Sequence, residues 1–545
     1  MASDPDLSLA VTSDLWWKNA VVYCLDVETF QDSDGDGIGD FRGLTERIDH
    51  LAGLGVSCLW LMPFYPTPDL DDGYDVTDYY GVDPRLGTLG DFVEFMRTAR
   101  DRGLRVIADF VVNHTSDRHP WFEAARADRS SPYRDFYVWA DEPPADGPTD
   151  LVFPGPEESM WRYDERAGQY YLHRFYHHQP DLNAANPDVR REIAKAMGFW
   201  LELGLSGFRI DAVPYFVELL DAGGKTTGGD PHEYLRDIHA FVSRRDGGAV
   251  LVGEVNLEPD ELRDFFGDEE GEKLDMLFDF VGNQALYLAL VRGEAEPLAR
   301  ALAALPGLPE ENQWARFVRN HDELTLDKLS DEEREEVFAA FAPEEDMRIF
   351  DRGIRRRLPS MLGGDRRQLE LVYSLLLSLP GTPVLLYGEE IGMGDNLAAT
   401  GRMSVRTPMQ WADEPAGGFS AAPAGDLCVP LADGELGPAH VNVAAQEHDP
   451  ESLLNWMTRV VRLRRESPEI GLGEPAPVPV DDGAVLAHRC DWRGRTVVCA
   501  HNLGGHAAHV RLDGFDELVD LFSGKRTSGD VELEPYGYGW FRAAG

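Results

Sequence analysis

The chain has 545 residues, 43% of them hydrophobic, so it is long enough for about two or three folded domains and too apolar to be disordered. Its 97 acidic and 51 basic residues give a formal net charge of −46, which argues against binding to nucleic acid or anionic membranes. No apolar run is long enough to cross a bilayer, and the first residues do not resemble a signal peptide, so a cytoplasmic protein is expected.

Short apolar runs alternate with helical patterns along most of the chain. Strands are predicted at Val21–Val27, Cys58–Met62, Arg105–Val112, Gly207–Ala212, Val250–Glu254, Met276–Val281, Phe317–Asn320 and Pro383–Tyr387. Helices are predicted at Leu44–Leu54, Gly90–Arg102, Val189–Leu203 and Ser452–Arg464. Strands that alternate with helices in this way indicate an α/β fold, a (β/α)8 TIM barrel.

Two segments do not follow the alternation. Residues 115–186 are too many for a simple loop after the third strand and are rich in aromatic residues, Pro and Asp, so they predict an inserted domain. Residues 472–545 alternate strand-like runs with Gly and Asp turns, which predicts a C-terminal antiparallel β-sandwich domain. The catalytic barrel then comprises residues 1–114 and 187–471.

Three carboxylates, Asp211, Glu254 and Asp322, each come just after an apolar run. Such a residue is more often a helix cap or a loop residue, but several buried strands side by side would deliver them to the C-terminal face of a barrel, where active sites lie. Retaining cleavage of a glycosidic bond needs a carboxylate nucleophile and a second carboxyl that donates and accepts a proton. Arg209, two residues before Asp211, is placed to hold that carboxylate ionised and oriented.

Four stretches together resemble the signature regions of the α-amylase family, glycoside hydrolase family 13. They are Asp109–His114, Gly207–Asp211, Glu254 and Asn320–Asp322. The resemblance extends from about Trp16 to the C-terminus. It is closest to the trehalose-synthase-like members, the maltose–trehalose isomerases, through the stretches Arg319–Leu326, Gly388–Asn396 and Arg406–Trp411.

The resemblance implies roles for individual residues. Asp211 would be the nucleophile, Glu254 the general acid/base with a pKa raised by burial, and Asp322 a third carboxylate that holds substrate hydroxyls and distorts the sugar ring. The implied substrate-binding residues are Asp71, Tyr74, His114, Phe175, Gln179, Arg209, His321 and Arg406.

Three groups of these residues would form the pocket for one glucose unit. His114 and His321 would hydrogen-bond its hydroxyls, and Tyr74 would stack on its ring. Asp71 would pair with Arg406 to close the non-reducing end, which favours exo-acting, disaccharide-sized substrates. Phe175 and Gln179 would wall the pocket from the inserted domain, although a simply packed aromatic hairpin is the alternative for that segment.

An acidic loop predicts a structural metal site. Asp32, Asp34, Asp36 and Asp40 alternate with glycines as Ca²⁺ binding requires, and an EF-hand is disfavoured because its twelfth position would be Gly43. The resemblance to the family's calcium loop adds the carbonyl of Ile38. It also implies a second structural calcium site whose ligands would be Asn113, Asp181, Glu218 and the carbonyls of Tyr215 and Phe216. No organic cofactor is expected.

The expected function is that of a retaining enzyme that processes short α-glucosides, such as maltose and trehalose, through a glycosyl-enzyme intermediate. Trehalose-synthase-like isomerisation is favoured, and an exo-acting α-glucosidase or an α-glucosyltransferase with another acceptor is the alternative. A catalytically inactive binding relative is the hypothesis from another class. Residues 218–233 and 397–405 depart from the trehalose-synthase pattern. The expected partner is a small-molecule substrate, with a homo-oligomer left open.

Overall fold

A computed structural model describes residues 15–144, 151–153, 155–218, 230, 232–268, 271–512, 514–515 and 517–543. In chain order its strands are β1 (Val22–Leu25), β2 (Cys58–Leu61), β3 (Arg105–Phe110), β4 (Trp139–Ala140), β5 (Trp161–Asp164), β6 (Gln169–Leu172), β7 (Gly207–Ile210), β8 (Val250–Gly253), β9 (Met276–Phe278), β10 (Gln313–Phe317), β11 (Leu324–Thr325), β12 (Arg348–Ile349), β13 (Gly353–Ile354), β14 (Thr382–Leu386), β15 (Glu474–Pro477), β16 (Val485–Trp492), β17 (Arg495–Asn502), β18 (Ala508–Arg511), β19 (Leu518–Asp520), β20 (Arg526–Thr527), β21 (Asp530–Leu533) and β22 (Tyr538–Ala543).

The α-helices are α1 (Phe41–Glu46), α2 (Ile48–Leu54), α3 (Leu89–Asp101), α4 (Pro120–Ala127), α5 (Pro187–Glu202), α6 (Val213–Phe216), α7 (Glu233–Arg245), α8 (Pro259–Leu262), α9 (Phe280–Arg292), α10 (Glu296–Ala304), α11 (Asp331–Phe341), α12 (Leu358–Met361), α13 (Arg366–Ser378), α14 (Val443–Glu447), α15 (Leu453–Arg465) and α16 (Pro468–Leu472). Within the described residues, none of the helices combines the length and apolar character needed to cross a membrane.

Parallel strands form a closed barrel in the order β1–β14–β10–β9–β8–β7–β3–β2. The strands are short and almost wholly buried, as in β1 and β2, because they pack against side chains inside the barrel and against helices outside it. The predicted (β/α)8 fold is therefore confirmed. The C-terminal part of the chain, after the barrel, contains antiparallel sheets. One sheet has the strand order β15–β16–β17–β22–β19–β20, and the other is formed by β18 and β21.

One barrel strand was predicted in the wrong place. The prediction put it at Phe317–Asn320, whereas β10 lies at Gln313–Phe317 and pairs with β9 and β14. The reason is that β10 contains polar residues that are buried through specific partners. Arg316 is paired with Asp279 inside the protein, so the strand does not read as an apolar run.

One predicted helix is divided. Leu44–Leu54 is observed as α1 and α2, which meet at Arg47. Arg47 adopts φ −95° and ψ 3°, and its guanidinium lies 4.2 Å from the ring centre of Trp411 while its Nε donates to Gln31. The helix at Ser452–Arg464 agrees to within a residue with α15, which Ser452 caps by accepting a hydrogen bond from the Asn455 amide.

The segment between β3 and α5 contains its own small sheet, in the antiparallel order β4–β6–β5. Val138, Met160, Trp161 and Leu172 form a separate apolar cluster beneath it. A single bridge between His114 and Asp181 joins the end of this segment to the loop after β3. The inserted segment therefore lies beside the C-terminal ends of the barrel strands. The domain boundaries given above stay predictions.

Candidate active site

The three candidate catalytic carboxylates lie at one end of the barrel. Asp211 directly follows β7, Glu254 directly follows β8, and Asp322 lies in the loop after β10. Parallel strands end at the same rim of a barrel, so residues far apart in sequence meet there.

The buried guanidinium of Arg209 contacts two of these carboxylates. Its Nη1 lies 2.5 Å from Oδ1 of Asp211, and its Nη2 lies 2.9 Å from Oε2 of Glu254. The backbone amide of Ala212 also donates to Oε2 of Glu254, at 3.1 Å. Ala212 has φ 53°, a left-handed conformation that is costly for alanine and is found most often at functional sites. Arg209 and the turn after Asp211 therefore hold the two carboxyls close together.

Asp109 is a functional neighbour that the sequence reading did not select as a site residue. It lies in β3 and accepts hydrogen bonds from Trp60 Nε1 at 2.9 Å, from the Tyr74 hydroxyl at 3.1 Å and from Arg209 Nη1 at 2.6 Å. The signal available in the sequence was an acidic residue inside an otherwise apolar strand. Because Asp109 shares Arg209 with Asp211, it fixes the orientation of that guanidinium.

Burial gives the two carboxyls next to Arg209 unusual acidities. It raises the pKa of Asp211 to about 6, with Arg209 opposing the shift. It raises the pKa of Glu254 to about 7, again against the effect of Arg209. The expected upward shift of the Glu254 pKa is confirmed. At a pH between the two values, Asp211 is mainly ionised and Glu254 mainly protonated.

The pKa of Asp322 is shifted in the opposite direction, downward. Burial works against its ionisation, but contacts with His321, Arg402 and Arg406 outweigh that effect and hold its pKa well below the usual range. The Nη2 of Arg406 lies 3.0 Å from Oδ1 of Asp322, and Arg402 contacts the same oxygen. Asp322 is therefore a permanent negative charge in the site.

The expected pairing of Asp71 with Arg406 is wrong. Arg406 pairs with Asp72 and Asp322, while Asp71 pairs with Arg402, whose Nη2 lies 2.8 Å from Asp71 Oδ1. The physical reason is the 3-10 helix Gly401–Val405, which carries Arg402 into the pocket one turn before Arg406. Two adjacent aspartates and two nearby arginines offer alternative pairings that their spacing in sequence does not distinguish.

The remaining predicted pocket residues are brought together around these ion pairs. Gln179 Nε2 donates to Asp71 Oδ2 at 2.8 Å, and the Tyr74 hydroxyl lies 2.7 Å from Nε2 of His321. The ring of Phe175 packs against His114 with centroids 4.9 Å apart. One ring nitrogen of each histidine, Nε2 of His114 and Nδ1 of His321, is buried without a hydrogen-bond partner among the described residues.

Comparison with known proteins agrees with this geometry. The profile described as alpha amylase, catalytic domain, matches residues 26–340 and 350–473. The chain belongs to the α-amylase family.

Similar proteins within the family include trehalose synthases and a trehalulose synthase. The trehalose synthase of Pimelobacter sp. (strain R48) is 43% identical over 510 residues, covering 91% of this chain and 89% of the relative. The trehalose synthase/amylase TreS of Mycolicibacterium smegmatis is 42% identical, covering 91% and 86%. The structure of trehalulose synthase MutB from Pseudomonas mesoacidophila MX-45 has 27% sequence identity and a TM-score of 0.78, covering 97% of this chain and 99% of that one. The resemblance is confirmed, and the chain is a retaining enzyme that acts on α-glucosides.

Of the two segments that depart from the trehalose-synthase pattern, 218–233 falls mostly on residues 219–229 and 231, outside the described part of the chain. Segment 397–405 is described, and it contributes Arg402 to the pocket. Arg402 is thus a pocket residue that comparison of motifs alone did not identify.

The acidic loop after β1 brings together carboxylate oxygens, the type of ligand that calcium prefers. Asp32, Asp34 and Asp40 bring carboxylate oxygens to within 4.8 Å of one another. Asp36 is not in that cluster, and its carboxylate accepts a hydrogen bond from the Ile38 amide at 2.9 Å. In the described residues no Lys or Arg side chain forms an ion pair with the clustered carboxylates. A divalent cation with oxygen ligands fits this uncompensated charge.

The second predicted metal site already contains a cationic side chain. The guanidinium of Arg174 lies 2.6 Å from Asp181 Oδ2 and 2.6 Å from Glu218 Oε2. Asn113 donates to Asp181 Oδ1 at 3.3 Å. Two further predicted ligands are in α6, namely Tyr215 and Phe216. Since Arg174 compensates the carboxylates, this group fits a metal ion less well than the acidic loop does.

Proposed function

We propose that this enzyme interconverts maltose and trehalose by an intramolecular transfer of glucose, as a trehalose synthase does. The observation that supports this proposal most strongly is the pairing of Arg402 with both Asp71 and Asp322, which we expect to close the pocket beyond one glucose unit. A pocket with such an end selects disaccharide-sized substrates. The similarity to trehalose synthases over most of the chain agrees with it.

In the first chemical step, the Asp211 carboxylate attacks the anomeric carbon of the non-reducing glucose of maltose. The carboxyl of Glu254 donates its proton to the glycosidic oxygen, so that glucose leaves with its 4-hydroxyl restored. The pKa order of the two groups, about 6 for Asp211 and about 7 for Glu254, provides the protonation states that this step needs.

In the second step, the freed glucose turns within the pocket and presents its anomeric hydroxyl. The Glu254 carboxylate removes the proton of that hydroxyl, whose oxygen attacks the glucosyl carbon and releases the Asp211 carboxylate. The product is trehalose, and both carboxyl groups return to their starting protonation states.

The other pocket residues act on binding rather than on bond making. We assign Asp322, with Arg402 and Arg406, to the hydroxyls of the bound glucose. Their hydrogen bonds would be strongest when the sugar ring is distorted toward the transition state. His114, His321 and Tyr74 are assigned to the same glucose. Phe175 and Gln179 are assigned to the wall contributed by the inserted segment.

Hydrolysis is the second candidate function. The Glu254 side chain is 25% exposed, whereas that of Arg209 beside it is 2% exposed. Water can therefore approach the acid/base, and attack by water on the glucosyl-enzyme gives two glucose molecules per maltose. This reaction makes the enzyme an exo-acting α-glucosidase whenever the freed glucose escapes.

Calcium is proposed as a structural ion in the acidic loop, where it would hold Asp32, Asp34 and Asp40 together without taking part in the reaction. The cytoplasm is proposed as the compartment. All five cysteines are free thiols, and thiols that stay free in a protein are typical of a reducing compartment.

The deciding experiment is product analysis with maltose as substrate. Wild-type enzyme should form trehalose with a minor release of glucose, and on amylose it should not produce maltodextrins. Asp211→Ala should lower both reactions by about 10⁴- to 10⁶-fold, the scale seen when a nucleophile is removed. Asp237→Ala, at a side chain that is 65% exposed on α7, is the control and should behave as wild type. Glucose as the sole product would support the hydrolase instead.

A further inference from the structure

A tight β-hairpin pairs with the chain segment that follows Asp322. It joins β12 and β13, and β13 also pairs with β11, which begins two residues after Asp322. The tip contains Phe350 with φ 55° and Asp351 with φ 58°. Tight hairpin turns need left-handed residues at such positions, and Phe and Asp are less favourable there than glycine, so the turn holds the Phe350 side chain in a fixed place at some cost.

The strained backbone places the Phe350 ring against the inserted segment. Its centroid lies 5.1 Å from that of Phe153, which is itself buried. Phe153 in turn stacks on Tyr176 at 4.5 Å and packs on Phe175 at 5.8 Å. The guanidinium of Arg402 lies 5.1 Å from the Phe153 ring centre. Phe350 is thus the outer member of an aromatic layer whose inner members contact the pocket.

The hairpin is held in that position by contacts on both sides of the cleft. Arg352 donates to the Val152 carbonyl at 2.9 Å and lies 3.9 Å from Glu323. At Gly353 the backbone approaches Glu323 so closely that an added Cβ would lie 2.7 Å from its Cγ. The hairpin therefore connects the inserted segment to the residue that follows Asp322.

The side of the pocket that this layer covers is the one that faces Glu254. Tyr215, whose ring packs against Phe175 at 5.4 Å, donates its amide to the carbonyl of Ala212, and the Ala212 amide donates to Glu254. The Arg352 carbonyl of the hairpin accepts from the Leu326 amide at 2.8 Å, and the next residue, Asp327, accepts from Asn256, two residues after Glu254. Glu254 is the group that exchanges a proton with the departing and attacking oxygens. A sugar that has just left the glucosyl-enzyme must lie on that side.

We propose that Phe350 is a specificity-determining residue, which closes the acceptor side of the pocket over Phe153 and keeps the freed glucose in place until it attacks again. The inference rests on the proposed isomerase function. Loss of the ring opens a path along which glucose leaves and water enters. The reaction then shifts from trehalose formation to hydrolysis without loss of the glucosyl-enzyme step.

The test compares Phe350→Gly with Asp351→Gly. Both variants relieve a left-handed residue at the same tip, so the melting temperature of Asp351→Gly should equal or exceed that of wild type. Phe350→Gly also loses the contact with Phe153, so its melting temperature should stay within a few degrees of wild type, with the two effects opposed. Only Phe350→Gly removes the ring. With maltose it should raise the ratio of released glucose to trehalose roughly two- to tenfold, the scale of losing one aromatic pair. Phe350→Tyr, which keeps a ring, should retain the wild-type ratio.

A second readout follows the freed sugar directly. With ¹³C-labelled glucose added to the medium, wild type and Asp351→Gly should incorporate little label into trehalose, whereas Phe350→Gly should incorporate clearly more. If wild type forms trehalose but Phe350→Gly keeps both the wild-type ratio and label content, the inference alone is overturned. If wild type forms no trehalose, the proposed function is overturned, and the role of Phe350 in retaining glucose is overturned with it.

Discussion

Arg209 contacts both carboxyl groups that are proposed to carry the chemistry, yet the two groups have different acidities. Burial raises both pKa values, and the same guanidinium limits both shifts. Arg209 approaches Asp211 more closely, at 2.5 Å, than it approaches Glu254, at 2.9 Å. The closer guanidinium favours the ionised form of Asp211, which agrees with its proposed role as nucleophile and with that of Glu254 as acid/base.

The first prediction is a bell-shaped dependence of kcat/KM on pH. Below about pH 6 Asp211 becomes protonated and loses its nucleophilic charge, and above about pH 7 Glu254 loses the proton that it must donate. Because Asp211 and Glu254 interact, the two apparent pKa values of the pH profile belong to the pair and not to either residue alone. Initial rates measured between about pH 4 and pH 9 test this, with the Asp237→Ala variant as control. A rate that keeps increasing into the alkaline range would contradict the assignment of Glu254.

The second prediction separates the two arginines of the pocket. Arg402→Ala should lower kcat/KM on maltose by about 10²-fold or more, because a charged donor near the bound glucose is lost. Its effect on stability should be small, since Gln179 still donates to Asp71. Arg406→Ala leaves the Asp72 side chain, which is only 7% exposed, without its ion-pair partner and should cost about 3–5 kcal/mol of stability.

Kinetics on maltose and thermal melts of both variants test this distinction. Arg97→Ala serves as the control, because the Arg97 side chain is 62% exposed on α3. Unchanged kinetics in Arg402→Ala would show that Arg402 does not bind substrate. If Arg402→Ala and Arg406→Ala lowered the melting temperature equally, the ion pairs of Arg406 would not be more important for stability than those of Arg402.

At the scale of elements, most predicted barrel strands extended too far toward their C-terminal ends. The strand predicted at Arg105–Val112 ends at Phe110, and the strand predicted at Gly207–Ala212 ends at Ile210. The residues beyond these ends remain buried although they no longer pair, because the inserted segment and the long loops cover them. Asp211 and Glu254, the proposed nucleophile and acid/base, are therefore the first residues of loops, which the barrel holds in place.

The third prediction concerns the acidic loop Asp32–Asp40. A cation bound only to the folded protein stabilises it by mass action, about 2.7 kcal/mol when its concentration is 100 times the Kd. Chelation should therefore lower the melting temperature, and readdition of Ca²⁺ should restore it. Asp34→Asn should melt at the lower temperature with or without chelator.

Glu192→Gln is the matched control, since it removes one carboxylate from the surface of α5 and should keep the full response to chelator. Metal analysis of the purified protein accompanies the melts. If wild type bound no calcium and lost no stability with chelator, the acidic loop would be a solvated turn. Asp181→Asn should have little effect on the response, because Arg174 compensates that group.

At the scale of the whole molecule, the net charge of −46 is the dominant electrostatic property. Repulsion among like charges opposes compact folding and is strongest at low ionic strength. Many surface ion pairs, such as Arg97 with Glu94, are exposed on both sides and contribute little. The excess of acidic residues is therefore not compensated by local pairing.

The fourth prediction is that salt stabilises the protein. Raising NaCl from roughly 0.05 M to 0.5 M shortens the screening length to well under 10 Å and should raise the melting temperature by a few degrees. An uncharged osmolyte at matched osmolality is the control, and chelator-free buffer at fixed calcium keeps the metal constant. A melting temperature that falls with NaCl would show that favourable ion pairs outweigh the repulsion.

The sequence by itself predicted the barrel, seven of its eight strands at the observed places and the three candidate carboxylates at one end of it. This was possible because short buried strands read as apolar runs, and because Asp211 and Glu254 come at the end of such runs. The chemistry of retaining cleavage needs carboxyl groups at those positions, so local pattern and function point to the same residues. The signature stretches of the α-amylase family supplied the rest of the pocket list.

Only the tertiary structure decided which charges meet. Asp71 and Asp72 are adjacent, and Arg402 and Arg406 are one helical turn apart, so the sequence allows several pairings of equal chemistry. The observed set joins residues more than three hundred positions apart, Asp71 with Arg402 and Asp72 with Arg406. The guanidinium of Arg174 likewise pairs with two carboxylates, Asp181 and Glu218, that were predicted to bind a metal ion. Charge type is a local property of the chain, whereas pairing in a buried site depends on distance and geometry that folding alone creates.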